Sequence, residues 1–239
     1  MKHHITGCLL TLAGTCFPAA LPAASLQMYP VTINFCNQES VAAVYVKNTG
    51  EETIGAQLRV FQWQQKDHQD VLNPTGAIVI SPPIATVPAG KQQLIRLILP
   101  APAPTGGSEQ SYRLLIDELP THQAQAPKRQ VRFLMRYSIP VFFGCAGYKT
   151  DLSTVHASLN SDSGHYRLTI RNSGIRHIKL SNVALVAGSQ SYTLSKGLFG
   201  YVLPGSEMTW DLPKNAPAGT AITAATSDNA PIQTIPLTR

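Results

Sequence analysis

Charge is scarce in this chain and never clusters. Asp, Glu, Lys and Arg make up 13% of the 239 residues, and no run of five or more like charges occurs. The formal net charge of +6 therefore does not indicate a nucleic-acid surface. Histidine pairs at metal-ligand spacing are missing as well. His156, His165 and His177 fall on separate predicted segments, and His68 and His122 fall in loops, so no metal site is expected. There is no Gly-rich phosphate cradle and no Gly-x-Ser-x-Gly elbow. Asp117 and Glu118 are neighbours in a predicted strand, so they face opposite ways and cannot work as a carboxylate pair. No constellation for catalysis or cofactor binding remains, and a non-enzymatic protein is expected.

Long apolar runs are absent beyond the N-terminus. Met1-Lys2-His3-His4 leads into an apolar, small-residue stretch from Ile5 to Ala20, then Leu21-Pro22-Ala23-Ala24-Ser25. A basic start, a short apolar run and small residues at its end make residues 1–24 a secretory signal peptide. The run is too short and too rich in Gly, Thr and Pro for a membrane span. About 215 residues remain, enough for one large or two small domains. Of four cysteines, Cys8 and Cys16 leave with the signal. Cys36 and Cys145 remain, and in an oxidising compartment a disulfide is expected between them, with two buried free thiols as the alternative. The bond would close a loop of about 108 residues, worth up to about 4.7 kcal/mol in the chain-entropy model.

What is present is strand and turn. Leu26–Phe35, Val41–Lys47, Gly55–Gln64, Val71–Thr75, Ala77–Ser81, Gln92–Leu99, Ser111–Leu119 and Gln130–Phe143 read as strands. Their spacing, without helical periodicity, predicts an immunoglobulin-like sandwich over residues 25–143. Gly144-Cys145-Ala146-Gly147 reads as a linker. A second, smaller sandwich over 148–239 follows from segments at Val155–Leu159, His165–Asn172, Ile178–Val186, Gln190–Lys196, Glu207–Leu212, Thr220–Thr226 and Ile232–Leu237. No strict internal repeat is visible. The expected fold is all-β, with two tandem sandwiches.

Two features stand out within these strands. In Gln130–Phe143, Val131, Phe133, Met135, Tyr137 and Ile139 share one face, while Arg132, Leu134, Arg136 and Ser138 share the other. That pattern fits either a half-buried core strand or an edge strand offering its apolar row to another protein. Arg96 and Arg113 each sit inside an apolar strand, where a buried guanidinium needs a partner. One reading pairs them internally with Asp117 or Glu118. The other is a fork that grips a carboxylate brought by a partner chain.

A set of stretches then carries a family resemblance across essentially the whole mature length. They are Leu26-Gln27-Met28-Tyr29-Pro30-Val31, Val46-Lys47-Asn48-Thr49-Gly50, Arg59-Val60-Phe61-Gln62-Trp63 and Ser81-Pro82-Pro83-Ile84. Pro88-Ala89-Gly90-Lys91-Gln92-Gln93-Leu94-Ile95-Arg96-Leu97, Ser111 to Pro120 and Tyr137-Ser138-Ile139-Pro140-Val141-Phe142 follow. In order and spacing the chain resembles the PapD-like periplasmic chaperones of the chaperone–usher pathway, above all the branch often called archaic. The resemblance implies a boomerang of two immunoglobulin-like domains without enzymatic activity or cofactor. Such a protein binds pilus (fimbrial) subunits in the periplasm by donor-strand complementation and delivers them to an outer-membrane usher. It implies that Val131, Phe133, Met135, Tyr137 and Ile139 are the donor row. The better-known branch anchors the subunit's terminal carboxylate with an Arg and a Lys whose places here hold Thr32 and Pro140. Arg113 is the first candidate for a substitute, and Arg96 the second. The rival reading is a secreted immunoglobulin-like pilus subunit or adhesin, which should lack its final strand.

Overall fold

The computed structural model describes residues 26–36, 39–100, 107–120, 133–144, 151–162 and 164–238. The strands in chain order begin with β1 (Leu26–Tyr29), β2 (Ile33–Phe35), β3 (Val41–Asn48), β4 (Ile54–Lys66) and β5 (Gln69–Pro74). β6 (Val79–Ser81), β7 (Ile84–Val87), β8 (Gln92–Ile98), β9 (Gln110–Leu119) and β10 (Arg136–Phe143) complete the first group. The second group is β11 (Val155–Asp162), β12 (His165–Asn172), β13 (Ile178–Ala187), β14 (Gln190–Thr193), β15 (Leu198–Val202), β16 (Glu207–Asp211), β17 (Ala221–Ala225) and β18 (Ile232–Thr238). One short 3-10 turn, Leu152–Thr154, is the only helical element among the described residues.

Alternation drives the first sandwich. Val44 and Val46 of β3, Ile95 and Leu97 of β8, and Leu114 and Ile116 of β9 all point inward and are fully buried. They join a sheet ordered β1-β3-β8-β6 to one ordered β2-β10-β9-β4-β5, with β7 also paired to β4. A second core, including Leu168, Ile170, Leu180, Leu185 and Ile222, is enclosed by the path β14-β13-β17-β18-β11-β12-β16, with β15 beside β13. The fold is two immunoglobulin-like sandwiches in tandem, as the spacing predicted.

Two strands were not anticipated. β7 follows Pro82-Pro83 and β15 contains Gly200, and neither segment is among the strands expected from the sequence. Gly200 is instead a packing requirement, because a Cβ there would lie 2.7 Å from the Trp210 ring.

The structure also reveals a repeat that the sequence concealed. The Asn48 side chain is fully buried; it donates to the Glu52 and Val87 carbonyls at 2.6 and 2.9 Å and accepts from Gly50 N at 2.9 Å. Asn172 does the same in the second sandwich, donating to the Arg176 and Val202 carbonyls at 2.5 and 3.0 Å and accepting from Gly174 N at 2.9 Å. Even the backbone bonds match, Asn48 N to Lys91 O and Asn172 N to Ser206 O, both 2.9 Å. Each amide uses both N–H groups and its oxygen to tie a turn to a distant strand, which is what a buried asparagine requires.

Candidate functional site

β10 is a strand of two halves. It pairs antiparallel with β9 along its whole length, Arg136↔Asp117 to Phe143↔Gln110. On its other side β2 pairs, in parallel, with only Val141, Phe142 and Phe143. Met135 O accepts from Glu118 N at 3.0 Å, so backbone groups of odd-numbered residues point to β9. Those of Arg136, Ser138 and Pro140 point to the other flank, where the β2 ladder reaches the Pro140 carbonyl and no strand among the described residues pairs with Arg136 or Ser138. Proline, which has no N–H, is tolerated there because its missing donor faces away from the ladder.

Burial follows the same division. Phe133 is 79% exposed and Met135 41%, whereas Ile139 is 4% exposed in this sandwich's own core, next to the buried Val141 and Phe143. Tyr137 lies between, half-buried, donating its hydroxyl to Leu26 O at 3.1 Å. Burial pushes the Tyr137 phenol above its ordinary value, helped by the Glu118 carboxylate. Val131 falls outside the described residues. The alternation places Phe133, Met135, Tyr137 and Ile139 on one face but spreads them from open solvent to sealed core. The strand itself begins at Arg136 among the described residues, later than the expected Gln130.

The opposite face of this sheet carries Arg113. Arg113 stands directly opposite Pro140 on β10 and Phe61 on β4. Its guanidinium carbon lies 3.6 Å from the Trp63 ring centroid and 5.3 Å from that of Tyr201. Burial pulls Arg113 below the usual guanidinium range, opposed by the charge of Asp70. No carboxylate stands within ion-pair distance of it among the described residues.

The internal pairing considered for Arg113 and Arg96 is therefore corrected. Asp117 is taken by Arg136 and by Arg59, the latter at 2.6 Å. Those hydrogen bonds, that from Arg136 first, hold the Asp117 carboxyl below the ordinary carboxylate range. Arg96 is exposed. It faces solvent from β8, in the other sheet, opposite Ala43 and Ser81. β8 needs only its alternate residues Ile95 and Leu97 inside, so the arginine between them points out.

Between the two sandwiches lies a joint that sequence reading missed. Trp63, Phe142, Tyr201 and Leu203 form a third buried cluster. The Gln65 amide donates to Tyr201 O at 2.9 Å and accepts from Leu203 N at 2.8 Å, mimicking a strand partner. Glu109, its side chain 2% exposed, accepts from His177 N at 3.1 Å and lies 2.7 Å from His177 Nδ1. Arg176 Nη1 is 3.9 Å from the same carboxylate, and its Nη2 donates to Gly144 O at 3.0 Å. The His177 ring stacks on Phe142 at 3.5 Å.

Cys36, at the end of β2, is disulfide-bonded. Cys145 lies outside the described residues, two positions after Phe143, which is in parallel register with Phe35.

Residues 25–148 match the family model described as the pili and flagellar-assembly chaperone, PapD N-terminal domain. That is over half of the chain. The chain belongs to the PapD-like family of pilus-assembly chaperones. These chaperones are periplasmic and non-enzymatic. The archaic-type chaperone CsuC, solved in a pre-assembly complex with the tip adhesion subunit CsuE of the Csu pili of Acinetobacter baumannii, is 29% identical to this PapD-like chaperone. That alignment covers 90% of this chain and 98% of the other, with a TM-score of 0.70. The fold is shared with the Escherichia coli chaperone DraB, at 17% identity, TM-score 0.58, and coverage of 90% and 98%. It is shared too with a chain of the Salmonella enterica SafA pilin–SafB chaperone complex, at 16% identity, TM-score 0.62, and coverage of 87% and 92%. A search of the curated proteins finds no match.

Proposed function

We propose that this chaperone acts in the periplasm, holds pilus subunits by donor-strand complementation through β10 and the residues just before it, and delivers them to an outer-membrane usher. One observation carries the proposal. Among the described residues, Arg136 and Ser138 present an unpaired strand flank directly after exposed Phe133 and Met135. An open flank beside apolar side chains is what an incomplete sandwich needs to finish its sheet and its core. Of the row expected from the sequence, Phe133 and Met135 enter the partner in this reading, which their exposure supports, and Tyr137 forms the rim. Val131 belongs to the same alternation. Ile139 fixes the strand in its own sandwich. A pilus subunit or adhesin is disfavoured, since such a chain should lack the final strand that β10 supplies here.

The assignment extends to three further points. Residues 1–24 are read as the export signal, 25–143 and 148–239 as the two domains, and 144–147 as their linker. Cys36 is paired with Cys145. Arg113 is the anchor for the subunit's terminal carboxylate, because it is a half-buried guanidinium with no carboxylate at ion-pair distance among the described residues, and it lies opposite Pro140, where the better-known branch carries a lysine.

Arg113→Ala is expected to lower the yield of co-purified subunit at least about ten-fold, the loss of roughly one charge-assisted hydrogen bond. Arg96→Ala should leave it unchanged. The measurement is co-expression with the pilus subunit of the same gene cluster and affinity capture from the periplasm. Equal losses at both positions, or none at Arg113, refute the anchor.

A further inference from the structure

Arg113 does not stand alone at the joint. Lys179 of β13 lies directly across from Tyr201 of β15 in antiparallel register, so their side chains leave the same face side by side. The Tyr201 ring meets Arg113, Trp63 and Phe142. One cation from each sandwich thus approaches the same phenol. The Tyr201 hydroxyl feels both: burial pushes it up, Lys179 and Arg113 draw it down, Asp228 pushes it up again, and a hydrogen bond with Thr32 draws it down.

Lys179 already holds a carboxylate. Its Nζ pairs with Asp228, which is 55% exposed, while Lys179 itself is 19% exposed. Asp228 sits in the turn between β17 and β18, and that turn is tied to the same residue by its backbone, Lys179 N donating to Thr226 O at 3.3 Å. The ion pair is therefore not the sole link between strand and turn. It is an exposed carboxylate resting on the second cation of the joint.

We propose that Lys179 is the second-sandwich half of the anion anchor, and that Asp228 is its intramolecular occupant, displaced when a subunit's terminal carboxylate docks between Lys179 and Arg113. The inference rests on the proposed function and adds two residues to it. It gives the substitutions opposite signs. Removing the cation weakens subunit binding, whereas removing the competing carboxylate strengthens it. A pair that merely fastens the turn predicts the same sign for both.

Two differently tagged chaperones, wild type and variant, are co-expressed with a limiting amount of the pilus subunit of the same gene cluster, and the captured ratio is read. Lys179→Gln should capture about 3- to 10-fold less than wild type and Asp228→Asn about 2- to 5-fold more, in the range of single partly exposed ion pairs. With a subunit extended by four Gly/Ser residues at its C-terminus, which moves the carboxylate, both ratios should return to one. Changes of the same sign, no change, or changes that survive the extension overturn the inference. If Arg113→Ala alone loses subunit, the inference falls and the proposed function stands. If Arg113→Ala and the β10 variants all capture normally, the proposed function itself falls.

Discussion

Replacing Phe133 and Met135 together by aspartate should abolish recovery of the pilus subunit from the periplasm while leaving the chaperone folded. Both side chains are exposed in the free protein, so their loss removes little internal packing and the melting temperature should move by no more than about 2 °C. In the complex each fills the subunit's open core. Burying a large apolar side chain contributes about 1.5–3 kcal/mol, and forcing a carboxylate into that space costs several kcal/mol more. The combined effect exceeds a hundred-fold in affinity, and pull-down from periplasmic extracts reads it directly. Ile139→Asp cannot serve as the same test. Ile139 is sealed in this sandwich's own core, so its substitution unfolds the chaperone and loses subunit for an uninformative reason. Undiminished capture by the Phe133/Met135 double variant would remove both residues from the binding surface.

The second large effect is expected at the joint. Glu109→Ala strips the buried carboxylate from His177 N, the His177 ring and Arg176 at once. Arg176 Nε is already buried without a partner among the described residues, which leaves the arginine only its bond to the Gly144 carbonyl. Breaking a buried charged network by removing one member costs about 3–5 kcal/mol. For a chain of this size that corresponds to a fall in melting temperature of about 10 °C. Glu109→Gln keeps an acceptor and should cost less than half as much. Thermal unfolding of the purified variants followed by circular dichroism gives the answer. A shift within 2 °C for Glu109→Ala would mean that this contact does not stabilise the joint.

Period-2 alternation made most of the strands legible, and β12 was placed residue for residue at His165–Asn172. Alternation specifies a face but not a depth. It put Phe133 and Ile139 on one side of β10 and could not tell that one lies in solvent and the other in the core. That difference comes from β2, whose three paired residues cover only the end of β10. Arg113 was singled out correctly as a strand arginine, but its surroundings come from Trp63 and Tyr201, far away in sequence. Arg96 drew the same notice for the same local reason, yet it faces water. Glu109 gave no signal because it follows the Gly- and Ser-containing stretch Thr105-Gly106-Gly107-Ser108, and its partner His177 lies 68 residues further on. The matching turns at Asn48-Thr49-Gly50 and Asn172-Ser173-Gly174 were too short to register as a repeat until their hydrogen bonds coincided.

The most direct test of strand addition is amide hydrogen exchange at Arg136 and Ser138, whose N–H groups face the flank of β10 that is unpaired among the described residues. In the free chaperone both should exchange fast, while the amides of Tyr137 and Ile139, aimed at β9, are protected. In the chaperone–subunit complex Arg136 and Ser138 should slow by about two orders of magnitude or more, because a subunit strand now accepts from them. Fast exchange at both positions within a stable complex would contradict the account.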